Sequence, residues 1–102
     1  MILQCLTLAA GLLCPTTETV MDEIEKQAQM YSVSPKIALR VANCESSYIY
    51  AAQNKNTSAG GIYQFIDSTW DWVGGDEKYN YIENIYRFMK LYKTNPEYWE
   101  CK

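Results

Sequence analysis

Residues 34–47, Ser34-Pro35-Lys36-Ile37-Ala38-Leu39-Arg40-Val41-Ala42-Asn43-Cys44-Glu45-Ser46-Ser47, carry the pattern on which the fold reading turns. Serine ahead of proline is helix-start chemistry. The hydroxyl satisfies a free backbone N–H, and proline, which lacks one, fits the first helical position. Ile37, Ala38, Val41 and Ala42 then recur at helical spacing, which predicts a helix from Pro35 to about Ser46 with one buried stripe. Glu45 stands four residues after Val41 and seven after Ala38, so the stripe ends in a carboxylate. Apolar surroundings and the negative end of the helix dipole both disfavour ionisation there and raise the pKa, as a general acid requires. A solvent-facing glutamate, or one paired with a lysine, is the plainer alternative.

Working outward, Thr16-Thr17-Glu18-Thr19 supplies capping residues and early negative charge for a helix through Met30, with Val20, Ile24, Ala28 and Tyr31 on its buried face. Residues 48–59 are polar and irregular, which predicts a loop or short hairpin ending at Gly60-Gly61. After an apolar patch, Ile62 to Ile66, either Asp67 or Ser68 is expected to cap a short helix from Thr69 to Val73, closed by Gly74-Gly75. Residues 80–93 give the clearest helical period, with Ile82, Ile85, Tyr86, Met89 and Tyr92 or Lys93 on one face. Asn95-Pro96 ends it, and a last turn carries Tyr98, Trp99 and Cys101. Four or five helices with a small β element at most make the chain mainly α, in the α+β class.

A length of 102 residues fits one domain, and 48% hydrophobic with 21% charged residues fits a folded one. The net charge of −3, with no cluster of lysine and arginine, argues against nucleic acid and anionic membranes as partners. No histidine is present, which excludes Ser-His-Asp and Cys-His catalysis within the chain. It also removes the commonest metal ligand, and the four cysteines lack zinc-ribbon spacing, so neither metal nor cofactor is expected. Acid/base work falls to a carboxylate, a lysine or a tyrosine. The 14% aromatic content, nine of them tyrosines, serves packing or platforms for polar ligands. Cysteines 5, 14, 44 and 101 allow three disulfide pairings, any of which implies an oxidising compartment; four buried free thiols are the alternative. Residues 1–14 form an apolar segment, either the remnant of an export signal without its charged start or a helix packed on the domain of residues 15–102. The segment is too short to span a membrane.

Three stretches together resemble the soluble lytic transglycosylase family: Ala42-Asn43-Cys44-Glu45-Ser46-Ser47, then Ala59-Gly60-Gly61-Ile62-Tyr63-Gln64-Phe65-Ile66-Asp67-Ser68-Thr69, then Glu83-Asn84-Ile85. They match its Glu-Ser pair at a helix end, its Gly-(Ile/Leu)-x-Gln segment and its Asn-Ile helix opening, and they cover residues 38 to about 92. Glu-Ser alone is a common dipeptide; three motifs in order and spacing are more specific.

The resemblance implies a lysozyme-like fold, with a helical body and a small irregular or hairpin lobe bounding a glycan cleft. It implies peptidoglycan strands as substrate and Glu45 as the catalytic residue that cleaves the bond between N-acetylmuramic acid and N-acetylglucosamine, leaving a 1,6-anhydro product. It assigns Gln64 to the cleft, with Tyr63, Asn84 and Tyr86 as further substrate-binding candidates; core packing competes for at least one tyrosine. Tyr63 departs from the Met or Leu common at its position. Met89 aligns with the tyrosine of the third motif, Tyr86 and Tyr92 lying to either side. A Cys44–Cys101 bridge, with Cys5–Cys14 as the other pair, resembles small secreted or phage-associated members. The expected protein is therefore monomeric and bacteriolytic, in the periplasm, secreted, at the cell wall or phage-borne. A hydrolytic lysozyme with Asp67 as second carboxylate is the nearest alternative, although capping is the plainer role for Asp67. A catalytically idle glycan-binding module is the other.

Overall fold

The computed structural model describes residues 14–101. Four helices follow in order, α1 (Thr17–Tyr31), α2 (Pro35–Ser46), α3 (Asp67–Trp72) and α4 (Tyr81–Tyr92), and a single 3-10 turn spans Pro96–Tyr98. No strand occurs among the described residues; the β content is two isolated bridges, Gln53 with Gly60 and Gly60 with Phe65. The molecule is thus the expected helical body with a small irregular lobe. No helix among the described residues is long and apolar enough to cross a membrane. The proposed Cys5–Cys14 pair and most of the segment 1–14 lie outside the described residues.

Local capping sets the three long helices. Thr16 Oγ1 accepts from the Thr19 N–H at 3.1 Å, Ser34 Oγ from Ile37 at 3.3 Å, and Asn80 Oδ1 from Glu83 at 3.1 Å. The short helix departs from expectation. It starts at Asp67 rather than Thr69, Ile66 takes the capping position without a side-chain bond, and the free Asp67 N–H donates instead to Ser58 Oγ at 2.8 Å. Asp67 is therefore not the cap. Its carboxylate pairs with Lys78 at 2.6 Å.

The core joins Val20, Ile24 and Ala28 of α1, Ala38, Val41 and Ala42 of α2, and Ile85, Phe88, Met89 and Leu91 of α4. Here too one expectation changes. Ile82 is 48% exposed, while Phe88 is fully buried. The apolar residues of α4 wrap around most of the helix, so periodicity alone leaves its inward direction open. The Tyr63 ring fixes it by lying flat on Phe88, with centroids 3.7 Å apart and planes 4° apart. Trp99 then packs edge-on against Phe88 at 4.8 Å and Phe65 at 5.5 Å.

Two ties hold the segments between helices. The Glu83 carboxylate accepts the backbone N–H groups of Asp76 and Glu77 and the Arg87 Nε, while Arg87 donates to the Val73 and Gly74 carbonyls. Burial pushes the Glu83 pKa up, but those two N–H bonds and the Arg87 guanidinium outweigh it and hold the carboxyl below its ordinary range. The second tie is the Cys44–Cys101 disulfide, which links α2 to the C-terminal segment across a separation of 57 residues.

Glu83→Gln is expected to lower stability near pH 7 by about 1–2 kcal/mol. A carboxyl with a depressed folded pKa stabilises above its unfolded value and loses that contribution as pH falls through the folded one. The gap between wild-type and variant melting temperatures should therefore narrow below pH 4.5, the ordinary glutamate value. Replacing both cysteines (Cys44→Ser with Cys101→Ser) removes a closed loop and should cost roughly 4 kcal/mol in denaturant unfolding, with reductant changing the wild type far more than the variant.

Candidate functional site

Glu45 occupies the last turn of α2. It is half-buried, and among the described residues its carboxylate makes no hydrogen bond and no ion pair. Burial alone pushes its pKa up from the ordinary glutamate value. The neighbouring Ser46 is turned inward, donating its hydroxyl to the Ala42 carbonyl at 3.2 Å. Beyond it the backbone turns sharply: Ser47 closes the helix at φ 53° and Tyr48 follows at φ 63°. Two successive left-handed residues without glycine cost on the order of 1 kcal/mol each and persist only where surrounding contacts hold them. Tyr48 is held by its hydroxyl, which donates to the Leu39 carbonyl about two turns back on α2 at 3.0 Å.

The segment Gly60–Phe65 carries the second group of sequence candidates. Its ends exchange two backbone hydrogen bonds, Gly60 N–H to the Phe65 carbonyl and Phe65 N–H to the Gly60 carbonyl, each 3.0 Å. A Cβ on Gly60 would collide with the Tyr79 ring, and one on Gly61, where φ is 85°, with the Asn84 amide, so both positions need glycine. Gln64 closes the loop in the left-handed region at φ 55°. Its Nε2 donates to the Ala52 and Gly61 carbonyls at 3.1 and 2.9 Å. The residue lines a cavity of about 330 Å³ with Phe65, Ile66, Thr69, Tyr98 and Trp99.

Of the other sequence candidates, Tyr63 and Asn84 are fully buried, and Tyr86 lines a separate groove. Tyr63 has no exposed surface: its ring is stacked on Phe88 and its hydroxyl donates to the Ala38 carbonyl of α2 at 2.7 Å. Burial first, then the nearby Tyr48, push its phenol well above the ordinary range, so it remains a donor. No face of that ring is left for a sugar. Asn84 is also fully buried, accepting the Tyr63 N–H at 2.8 Å and donating to the Lys78 carbonyl at 2.9 Å. It orients the Gln64 loop rather than Glu45 or a ligand. Tyr86 lines a groove between α1 and α4 with Met30 and Ile82, edge-on to Tyr31 at 5.6 Å, and that groove shares no residue with the cavity at Gln64.

One positioning residue escaped the sequence reading. Trp99 donates its indole N–H to the Tyr63 carbonyl at 2.9 Å, and two residues later Cys101 is bonded to Cys44, beside Glu45. The C-terminal segment is thus bonded both to the residue before Gln64 and to the residue before Glu45. A tryptophan two residues from a cysteine, outside the matching motifs, was the available signal.

No curated protein and no solved structure matches this chain. The family model described as the Transglycosylase SLT domain matches residues 22–91, more than half of the 102. The match takes in the Glu45 turn, the Gln64 loop and the Asn84 clamp, and the chain belongs to the transglycosylase SLT domain family.

Proposed function

We propose that this domain cleaves the glycan strands of peptidoglycan between N-acetylmuramic acid and N-acetylglucosamine, as a lytic transglycosylase with Glu45 as its one catalytic carboxyl. The observation that carries the proposal is the Glu45 carboxyl itself, half-buried, without a charged partner among the described residues and with a raised pKa. Glu83, which accepts two backbone N–H groups and the Arg87 guanidinium, has the opposite shift. Membership of the SLT family supports peptidoglycan as the substrate class.

The chemistry follows from one acid in two protonation states. Protonated Glu45 gives its proton to the glycosidic oxygen as the C1–O bond breaks, and the sugar leaves with a new hydroxyl. The Glu45 carboxylate then takes the proton of the muramic C6 hydroxyl, whose oxygen bonds to C1 and closes the anhydro ring. Glu45 ends protonated, and no water is consumed. Inverting hydrolysis would call for a second carboxylate to activate water. The sequence candidate, Asp67, is exposed and paired with Lys78 Nζ, which favours the single-carboxyl route. The Cys44–Cys101 disulfide supports an exported protein acting at the cell wall.

Mass spectrometry of digested cell walls tests the outcome. Anhydro products one water lighter than hydrolysed ones are expected, and wholly hydrated products overturn the lytic mechanism. Glu45→Gln should lower clearing of a cell-wall suspension by about 10²–10⁴-fold. Because the first step needs the protonated acid, kcat/KM should fall as pH rises through the raised Glu45 pKa.

Stability should move the other way. A carboxyl whose folded pKa is raised binds its proton more tightly in the native state, so the native state loses ground as pH rises through that value. Glu45→Gln removes the penalty and should raise the melting temperature near pH 7 by about 2 °C. The gain should vanish below pH 4.5, the ordinary value.

A further inference from the structure

Trp72 and Tyr98 form an exposed aromatic pair. They are 63% and 50% exposed, and their rings meet edge-on with centroids 6.2 Å apart and planes at 65°. Trp70 and Trp99 are each only 4% exposed. Two large rings facing water side by side forgo the burial that stabilises every other tryptophan here, which marks a contact surface.

The pair is continuous with the cavity at Gln64. Tyr98 lines the same cavity as Gln64 and Thr69. Both hydrogen bonds of the Gln64 side chain leave from Nε2, and Oε1 accepts none among the described residues. Tyr98 is also firmly mounted. It ends the 3-10 turn, the next residue is bonded to the Tyr63 carbonyl, and Cys101 is bonded to Cys44. The aromatic pair, the Gln64 loop and the turn bearing Glu45 therefore share one frame.

The chemistry of such a surface suits a pyranose. The C–H face of a sugar lies on the flat apolar face of tryptophan or tyrosine, while its hydroxyls and N-acetyl group keep their water and hydrogen bonds. No positive charge is needed, which matters for a chain of net charge −3 meeting an anionic wall.

We propose that Trp72 and Tyr98 form a stacking platform for an N-acetylhexosamine ring of the glycan strand, away from the bond that is cleaved and reached through Gln64. The platform rests on the reading of the chain as a peptidoglycan-cleaving domain and adds to it how the strand is gripped.

Calorimetric titration with an N-acetylglucosamine hexamer and sedimentation with purified peptidoglycan test it on the full chain in the Glu45→Gln background. Trp72→Ala and Tyr98→Ala are each expected to weaken binding roughly tenfold without moving the melting temperature. Trp72→Phe, which keeps a ring, should restore most of the affinity, and Met30→Ala, in the α1–α4 groove, should bind like its parent. In the Glu45 background, Trp72→Ala should raise KM more than it lowers kcat. Unchanged affinity in both alanine variants overturns the platform, as does a parent that binds neither probe. A dimer lost in Trp72→Ala with sugar binding intact also overturns it and assigns the rings to a second copy. Binding that depends on Trp72 and Tyr98 in a protein that releases no product upholds the platform and overturns the cleavage proposal. Cleavage with unchanged affinities does the reverse.

Discussion

Tyr63 spends each of its interacting groups on a different part of the chain. Its hydroxyl donates to α2, its N–H to Asn84 on α4, its carbonyl receives the Trp99 indole, and its ring lies on Phe88. With one residue as the common partner, α2, α4, the Gln64 loop and the C-terminal segment cannot shift independently. In so small a domain, where little apolar surface is available for burial, such shared bonds keep separate elements in register. The position of Gln64 next along the chain is a by-product of that anchoring, and the glycines before it let the loop pack against Tyr79 and Asn84.

Glu45 and Gln64 are positioned by different physics. Glu45 is delivered by a helix, a stiff element whose cap and apolar stripe are set locally, and has no partner among the described residues at its end. Gln64 is delivered by a loop with left-handed backbone, whose strain the surrounding hydrogen bonds offset. The Cys44–Cys101 bond and the Trp99 hydrogen bond join them through a third segment. The contrast between Glu45 and Glu83 makes the same point electrostatically. Both are glutamates near helix ends, but Glu83 collects two N–H groups and a guanidinium and is held ionised, whereas Glu45 collects none.

Much of this was legible in the residues themselves. Thr16, Ser34 and Asn80 lie immediately before the helices they cap, and the bonds they make span three residues, so short-range pattern places α1, α2 and α4 within a residue or two. The start of α3 was not legible, because its first N–H is taken by Ser58, nine residues away. The inward face of α4 was ambiguous for a related reason: the residue that selects Phe88 over Ile82 is Tyr63, from another segment.

Sequence by itself determined the mainly helical class, the exclusion of histidine chemistry and the glutamate at the end of an apolar stripe, since each depends on composition or on neighbours within a turn. Tertiary structure alone decided which aromatic rings are spent in the core and which remain in water. Tyr63 and Trp72 are both aromatic residues of the middle of the chain, and nothing local separates them. One is 0% exposed and the other 63%, because burial depends on what the rest of the fold brings over each ring.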